Sequence, residues 1–416
     1  MTPSIESRAS WVVASIALAI LAVAFGGPWI AVVALKTIAA ETGGARSVPA
    51  FASSLAWFGA GVGGIGMGWL ADRYGVRWTA MFGSVMIAIG LAISAYGEPW
   101  LGRIWALYIG HGLFIGLIGN AGLNAPLYVY VSRWFDKRRG SALALISSGQ
   151  YIAGAVWPPV FERIIAGYGW RQTMFAFGLF QVVVIVPLAL VYLKRPPEVI
   201  PPPLPAGEGR AVKQTVLGWP PNLVFGLLMV ASYCCCVPMS MPQGHLVALC
   251  TDLGILPSHG AAMLSVLLGT AFFSRQMWGW ISDRIGGLMT VLIGSVWQFL
   301  AVVALSLTQD EIGLFTVSAL FGLGFSGIIP AYALIARELF PAREAGWRIP
   351  LLLFCSGFGM ASGGWFAGLL YDHFGYYAPA FAAGLIFNAV NLILIGTLVM
   401  RRGGWFGGPR VAAAYG

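Results

Sequence analysis

The stretch Gly68-Trp69-Leu70-Ala71-Asp72-Arg73-Tyr74-Gly75 recurs in the second half of the chain as Gly279-Trp280-Ile281-Ser282-Asp283-Arg284-Ile285-Gly286. The two copies share Gly, Trp, Asp, Arg and Gly at corresponding positions, and each joins two apolar runs. Two weaker matches keep nearly the same separation: residues 133–140 pair with 337–343, and 167–170 pair with 372–376. Three matches in register indicate a tandem duplication, so we expect two related halves.

The composition is that of a membrane protein. The 416 residues are 58% hydrophobic and only 9% charged, against about 25% charged in an ordinary globular domain. Such a chain cannot cover its own surface with polar groups, so most of its length must face lipid. The net charge of +9 does not indicate nucleic-acid binding, because the basic residues form no patch and lie in short loops between apolar runs.

Apolar runs of about twenty residues, enough to cross the hydrocarbon core, recur along the whole chain. The predicted spans are 11–35, 52–70, 79–97, 103–131, 141–166, 171–193, 220–248, 260–281, 289–308, 312–336, 349–370 and 377–400. We therefore predict an all-α membrane protein of about twelve transmembrane helices in two pseudo-symmetric six-helix halves. The halves are residues 1–193 and 220–416, and a Pro-rich cytoplasmic linker, 194–219, joins them.

The loops differ in charge between the two sides of this predicted bundle. Most of the 24 Lys and Arg residues fall on one side, which the positive-inside rule makes cytoplasmic. Both termini are expected on that side. The first apolar run is too long for a signal-peptide core, so we expect it to be retained as the first helix. We expect a multi-pass monomer in a bacterial inner (plasma) membrane.

Arg275 lies inside a predicted span. It precedes Asp283 by eight residues, which places it about 12 Å from that helix end at 1.5 Å per residue. A charge near the midplane costs at least about 2.5–3.5 kcal/mol, yet all 15 acidic residues fall in loops or near predicted helix ends. An anion-binding cavity would leave the counter-ion position open in this way. The alternative is a structural arginine. The corresponding residue in the first half is Gly64, so the charge belongs to one half only.

Pro242-Gln243-Gly244-His245 is predicted to interrupt the seventh helix near its outer end. Broken helices between repeats often line binding sites in duplicated membrane proteins. Gln243 and His245 are therefore candidate solute contacts, and a histidine can also carry a coupling proton near neutral pH. The equally supported alternative is a polar residue at the membrane interface.

Asn120, Asn124 and Tyr128 recur every four residues on the fourth predicted helix and so share one face. They are candidates for a solute path. Hydrogen bonding between helices, worth about 0.6–2 kcal/mol per bond, explains the same pattern equally well. Tyr151 on the fifth helix and Tyr332 on the tenth are similar candidates.

The sequence contains no pattern typical of catalysis: no nucleophile–base pairing, metal-ligand cluster or phosphate-binding Gly-Lys-Ser/Thr motif stands out. The five cysteines match no zinc-site spacing and are expected to be packing residues. We therefore expect a protein that is not an enzyme, uses no cofactor or metal, and is driven by gradients rather than by ATP.

The loop 68–75, with Arg77 after it, resembles the signature between helices two and three of the major facilitator superfamily. That resemblance implies a conformational latch on the cytoplasmic side. Its residues would be Gly68, Asp72, Arg73, Gly75 and Arg77, together with Asp283 and Arg284 of the second copy. Two copies at corresponding loops make the resemblance specific.

Residues 133–149, His245-Leu246 and the segment 275–284 are similar to the monocarboxylate transporters and the related oxalate:formate antiporters. In that branch an arginine of helix eight binds the substrate carboxylate, which implies this role for Arg275. Histidine and tyrosine neighbours from helices seven and ten contribute, which implies His245 and Tyr332.

The sequence also departs from that branch. Trp29 and Ala271 stand where animal monocarboxylate transporters carry a lysine and an aspartate, so their proton relay does not carry over. Residues 351–370 lack the second cation of the oxalate carrier, which favours a monoanion. The resemblance implies alternating-access transport of a small carboxylate, with proton symport, antiport and uniport all open. Two rival interpretations are an exporter of another small organic compound, with Arg275 structural, and a membrane receptor.

Overall fold

The structure, a computed structural model, describes residues 6–135, 138–194 and 215–403. Residues 195–214 of the predicted linker lie outside these ranges, so the linker and the boundaries of the halves stay predictions. Within the described ranges the chain is a bundle of helices to which no strand contributes. This confirms the predicted all-α fold class.

The helices before the linker are α1 (Arg8–Ala24), α2 (Gly27–Val33), α3 (Leu35–Glu41), α4 (Ser47–Tyr74), α5 (Val76–Tyr96), α6 (Glu98–Leu101), α7 (Arg103–Tyr108), α8 (Ala121–Ser132), α9 (Arg139–Ser147) and α10 (Gly149–Tyr192). A π-helical segment, Ile109–Asn120, connects α7 to α8. The helices after the linker are α11 (Pro221–Asp252), α12 (Pro257–Ile285), α13 (Gly287–Leu307), α14 (Glu311–Phe325), α15 (Ile328–Leu339), α16 (Ala342–Phe374) and α17 (Ala378–Arg402).

Ten stretches of the described chain are long and apolar enough to cross a membrane. One of them, Gly140–Tyr192, is a double span, because Gly169 inside α10 has φ 79° and ψ 163°, outside the helical region. Helix α12 is not among the ten, but it is 29 residues long and carries Arg275. Counting the double span twice and adding α12 gives the twelve spans that the sequence predicts.

The helices around Pro28 and Pro242 differ from those predicted from the sequence. The first predicted span is divided, since α1 ends at Ala24 and α2 begins at Gly27. Pro28 lacks an N–H group and its ring clashes with the carbonyl four residues earlier, that of Ala24. By contrast, the predicted interruption at Pro242 and Gly244 is wrong, because α11 continues through both residues.

Two side chains of α11 bond to backbone carbonyls of the same helix near Pro242. The Gln243 side chain donates to the carbonyl of Met239 at 2.9 Å, and the Ser240 hydroxyl donates to the carbonyl of Val237 at 3.0 Å. Pro242 removes the donor for the carbonyl of Pro238, so these bonds add to the helix without replacing the missing one. Gln243 therefore has a structural role in addition to any contact with a solute.

The two repeated stretches form the same turn. Gly75 joins α4 to α5 with φ 90° and ψ 148°, and Gly286 joins α12 to α13 with φ 80° and ψ 165°. Glycine adopts this conformation readily whereas other residues do so only with strain, which explains the glycine in both copies. Each turn follows an even-numbered span, so both lie at one end of the bundle. We call this the motif end and the opposite one the distal end.

The largest contacts between the two halves are made by two pairs of helices. Helix α4 packs against α16, and α10 packs against α12. Arg275 lies on α12, ten residues before that helix ends at Ile285, which is about 15 Å along the helix axis. The fold thus places this charge at mid-depth, on the interface between the halves.

Candidate functional site

A cavity of about 660 Å³ lies between the two halves. Helices α2, α4, α8, α9 and α10 line it from the first half, and α11, α12, α14, α15 and α16 line it from the second. Ser282 and Arg337 line the cavity near the motif end, whereas Trp29 and Gln243 line it toward the distal end. The cavity therefore runs from the interior of the bundle to the motif end.

Arg275 is half-buried in the wall of this cavity. Its Nη1 atom donates a hydrogen bond to the Tyr151 hydroxyl at 3.0 Å, and its guanidinium carbon lies 5.2 Å from the centroid of the Tyr151 ring. Tyr151 belongs to α10, so this bond crosses the interface. One residue further along α12, Gln276 donates to the hydroxyl of Ser148, which immediately precedes α10, at 3.4 Å. The structure thus brings together two predicted site residues, Arg275 and Tyr151.

No side chain that the structure describes neutralises the charge on Arg275. Among the described residues no carboxylate oxygen lies within 4.0 Å of its guanidinium, and the described cavity lining includes no Asp or Glu. In the part of the lining that the structure describes, the other cation is Arg337, which is exposed near the motif end. The adjacent Glu338 pairs instead with Arg402 at 2.7 Å. The cavity therefore carries a positive potential that favours anions.

Two of the three residues predicted to share a face of the fourth span line the cavity. Asn124 and Tyr128, on α8, are both half-buried in its wall. Asn120 is only 3% exposed and is not part of the lining, and its Oδ1 atom has no hydrogen-bond partner among the described residues. Asn120 ends the π-helical segment, whose hydrogen bonds follow a wider spacing than those of an α-helix. The predicted i, i+4 face therefore does not extend to it.

Tyr332 lies outside the cavity lining, which corrects the placement expected from the sequence. It is fully buried, and its hydroxyl donates to Oδ1 of Asn391 at 2.8 Å. Asn391 in turn donates to the Ser295 hydroxyl at 2.8 Å, which ties together α13, α15 and α17. Pro330, Ala333, Leu334 and Arg337 present the opposite face of α15 to the cavity. Tyr332 contributes hydrogen bonds between helices within the second half.

His245 lies outside the main cavity, in a second chamber of about 50 Å³ toward the distal end. We call this the distal chamber. Ser53, Ser54, Ser240 and His245 contribute polar groups to it. Four side chains line both spaces and separate them: Trp29, Trp57, Gln243 and Met360. His245 and Arg275 are thus on opposite sides of this barrier.

The hydrogen bonds of His245 fix its tautomer. Nε2 lies 2.7 Å from the carbonyl oxygen of Gly364, and Nδ1 lies 3.0 Å from the Tyr377 hydroxyl. A carbonyl can only accept, so Nε2 carries the hydrogen and Nδ1 accepts from Tyr377 in the neutral ring. The Tyr377 hydroxyl also accepts from Nη1 of Arg46 at 2.9 Å. This chain of bonds links His245 to the distal surface.

An ion-pair cluster that we call the distal clasp joins the halves beyond this chamber. Nη1 and Nη2 of Arg46 lie 2.5 Å and 2.7 Å from the two carboxylate oxygens of Asp252, and Lys36 lies 2.9 Å from the same carboxylate. Asp372 accepts from the backbone N–H groups of Arg46 and Ser47 at 2.7 Å and 2.9 Å. Asp372 therefore caps the N-terminus of α4, where negative charge is favoured.

The Arg46 side chain in the clasp is shielded from solvent, with only 8% of it exposed. Its guanidinium carbon lies 3.6 Å from the centroid of the Tyr371 ring. Burial lowers the pKa of Arg46, but hydrogen bonds to Asp252 and Tyr377 outweigh it and raise that pKa above its ordinary value. The clasp could not be predicted from the sequence, because Arg46 and Asp252 are 206 residues apart and each resembles an ordinary loop charge.

Four of the predicted latch residues at the motif end contact groups of their own half. Asp72 pairs with Arg133 at 3.0 Å, and both side chains are exposed. The guanidinium carbon of Arg73 lies 5.5 Å from the centroid of the Trp69 ring, and that of Arg284 lies 3.3 Å from the centroid of the Trp280 ring. Arg77 donates to the carbonyl of Leu193 at 3.2 Å. The halves are thus clasped at the distal end, while the cavity extends to the motif end.

A second feature that the sequence analysis missed is the apolar floor of the cavity. We use this name for the wall formed by Phe25, Trp29, Trp57, Met239, Leu268 and Met360 toward the distal end. Phe25 and Trp57 stack with ring centroids 5.8 Å apart. Every residue of this set also fits an ordinary membrane helix, so composition alone could not distinguish a lining side chain from a lipid-facing one.

In the described chain, twelve membrane spans with a cavity between the two halves form the fold of an all-α membrane transporter. The sequence model of the Major Facilitator Superfamily matches residues 16–243 and 239–409 of this chain. The chain belongs to the Major Facilitator Superfamily, a family of transporters rather than enzymes.

Two curated relatives and one solved structure illustrate the similarity. Monocarboxylate transporter 13 of Bos taurus is 25% identical over 330 residues, which are 78% of this chain and 74% of that protein. The agnestins efflux protein of Paecilomyces divaricatus is 22% identical over 339 residues, 81% of this chain and 75% of that protein. A bacterial homologue of the human lysosomal transporter Spinster, solved in an inward-facing and occupied conformation, gives a TM-score of 0.66 at 15% identity and covers 96% of this chain and 98% of that chain.

Proposed function

We propose that this chain is a secondary transporter of a monocarboxylate, which binds at Arg275 in the cavity between the halves. The observation that carries the proposal is the Arg275 guanidinium, held at mid-depth with Tyr151 as its hydrogen-bond partner and with no carboxylate of the described residues beside it. A guanidinium presents five N–H donors in a planar fork that matches a carboxylate. One donor is directed at Tyr151, and others remain for the solute.

The path of the solute follows from which end of the bundle is closed. The distal clasp joins the halves in this conformation, and the cavity reaches the motif end. Alternating access then requires a second conformation, in which the clasp opens and the latch residues Asp72, Arg73, Asp283 and Arg284 close the motif end. The excess of Lys and Arg at the motif end supports a cytoplasmic location for that end.

The proposal includes proton coupling in one form, in which opening of the distal clasp makes His245 available to a proton. His245 lies across the barrier from Arg275 and is bonded to Tyr377, which is bonded to Arg46. Opening the clasp would break this chain of bonds and free the imidazole to take up a proton. A coupled proton would therefore enter at the distal chamber rather than beside the solute.

A second candidate function is export of another small organic compound, with Arg275 structural. The hydrogen bond from Arg275 to Tyr151 supports a structural role for Arg275, because it joins the two halves and gives the guanidinium a partner. The relative named as an efflux protein belongs to the same family. The two candidates differ in one respect: only the first requires the charge on Arg275 for transport.

The test is uptake of labelled lactate, pyruvate, formate and oxalate into proteoliposomes, with and without a pH gradient. Wild-type protein is compared with Arg275→Gln and with Arg163→Gln, a matched control at an exposed position of α10. We expect uptake of a monocarboxylate by wild type and Arg163→Gln, with loss in Arg275→Gln. Unchanged carboxylate uptake by Arg275→Gln would contradict the proposal and favour the structural role.

A further inference from the structure

The cavity is chemically divided along its length. Its cations and most of its hydrogen-bonding groups, among them Arg275, Tyr151 and Tyr128, lie toward the motif end of the apolar floor. Gln243 borders the floor, and its amide nitrogen is bonded to the carbonyl of Met239. We propose that the solute is an aryl monocarboxylate, with its carboxylate at Arg275 and its ring against the floor. This inference rests on the proposed function and specifies the substrate class of the same site.

The length of the site supports a solute larger than a two- or three-carbon acid. Leu268 and Arg275 both line the cavity and are seven residues apart on α12, which is about 10 Å along the helix axis. A short acid bound at Arg275 would leave the floor in contact with water. The volume of about 660 Å³ also falls among sites for drug-sized ligands, about 300–1,000 Å³.

The shape of the floor is suited to a planar ring. Phe25 and Trp57 present a stacked pair with an interplanar angle of 21°, and Trp29 lies in the same wall. On the side nearer Arg275, Tyr151 and Phe325 meet edge to face with centroids 5.9 Å apart. Aromatic surfaces bind aromatic ligands by stacked or edge contacts in addition to burying apolar area.

Glycine at position 154 shapes this wall. A Cβ atom there would lie 2.1 Å from Cδ1 of Leu268 and 2.8 Å from Cζ2 of Trp29. The absence of a side chain lets both apolar groups pack back against α10. A larger residue would move them, so the depth of the floor depends on this glycine.

The charges exclude other ligands that bind among aromatic rings. An organic cation can stack on tryptophan, but Arg275 and Arg337 would repel it, and the described lining offers no acidic group. A dianion would place its second charge against the apolar floor, which carries no cation. A single carboxylate on an aromatic body satisfies both parts of the cavity.

The experiment is equilibrium binding of labelled naphthoate and lactate to the purified full-length chain, with naphthamide as the uncharged counterpart of naphthoate. The floor variants are Trp29→Leu and Trp57→Leu. These residues lie on different helices, α2 and α4, so if one variant fails to fold, the other still tests the floor. Trp105→Leu is the matched control, because Trp105 is 65% exposed and away from the cavity lining. Size-exclusion chromatography verifies that each variant is monodisperse.

We expect naphthoate to bind more tightly than lactate by at least about tenfold, and naphthamide not to compete. Each floor variant should weaken naphthoate by about tenfold and weaken lactate by a clearly smaller factor. Trp105→Leu should change neither. Lactate binding that depends on Arg275, without tighter naphthoate binding or without an effect of the floor variants, would overturn the aryl class and leave the proposed function standing. Equal binding of naphthoate to wild type and Arg275→Gln would instead contradict the proposed function.

Discussion

Arg275 on α12 and Tyr151 on α10 are joined across the interface between the halves by a hydrogen bond of 3.0 Å. The tyrosine hydroxyl is neutral, so it orients the guanidinium without cancelling its charge. The arrangement therefore differs from a buried ion pair, in which the partner charge would compete with a bound anion. A carboxylate entering the cavity meets a cation whose position is already set.

Tyr151→Phe is expected to raise KM for a transported carboxylate by about fivefold, because one hydrogen bond of about 1 kcal/mol that positions the guanidinium is lost. Uptake kinetics in proteoliposomes measure this. Tyr168→Phe is the control, since Tyr168 is on the same helix but 72% exposed. A KM that stays at the wild-type value in Tyr151→Phe would show that the bond does not position the binding group.

Tyr332→Phe is expected to lower the thermal stability of the protein and to leave KM unchanged. Oδ1 of Asn391 loses its donor, at a cost of about 0.6–2 kcal/mol for a hydrogen bond between membrane helices. Thermal unfolding and uptake kinetics are measured on the same preparation. Tyr376→Phe, at a position 57% exposed, should change neither quantity. A specific rise in KM for Tyr332→Phe would restore this residue to the binding site.

Asp252→Asn is expected to open the distal clasp more often. The substitution removes the negative charge that pairs with Arg46 and Lys36. The measure is labelling of Ser53→Cys, in the distal chamber, by a membrane-impermeant maleimide after the five native cysteines are replaced. The labelling rate should rise at least about fivefold, which corresponds to about 1 kcal/mol.

The matched control for the clasp is Glu311→Gln. At the distal end, Oε1 of Glu311 lies 2.8 Å from Nδ1 of His259, and both residues belong to the second half. Losing this pair should leave the labelling rate of the distal chamber unchanged. If Asp252→Asn and Glu311→Gln give the same rate as the parent protein, the clasp does not hold the halves together.

Gly286→Ala is expected to destabilise the protein, whereas Gly279→Ala in the same repeated stretch should be tolerated. Gly286 has φ 80° and ψ 165°, a conformation that costs a residue with a side chain about 1–3 kcal/mol. Gly279 is helical, and a Cβ atom there would meet nothing within 4 Å. Thermal unfolding of the purified variants measures the difference. Equal stabilities would contradict the structural explanation of the repeat.

The fold was predictable from the sequence because hydropathy and repetition are properties of the chain itself. The spans follow from the lengths of apolar runs, and the common turn follows from Gly75 and Gly286. Arg275 was predictable for a related reason: a charge inside an apolar run is visible without any knowledge of its surroundings. The unbroken course of α11 was not, because Pro242 and Gly244 predict a local break, whereas neighbouring helices in a membrane bundle let a helix continue through proline.

The partners of the site residues could not be predicted. Hydropathy does not distinguish a side chain that faces the cavity from one that faces another helix, so Tyr332 and Asn120 were placed with Asn124 and Tyr128. The clasp between Arg46 and Asp252 joins residues in different halves and has no local signature. Tyr151 and Arg275 were both predicted, but the bond between them follows only from the packing of α10 against α12.

The most direct test of the central claim is the affinity of the purified protein for carboxylates and for their neutral amides, measured with wild type, Arg275→Gln and Arg163→Gln. We predict that wild type and Arg163→Gln bind a monocarboxylate and reject its amide. In Arg275→Gln the carboxylate affinity should fall by about tenfold to a hundredfold, the range expected when hydrogen bonds to a charged group are lost. Equal Kd values for the carboxylate in wild type and Arg275→Gln would contradict the assignment of Arg275 as the anion-binding residue.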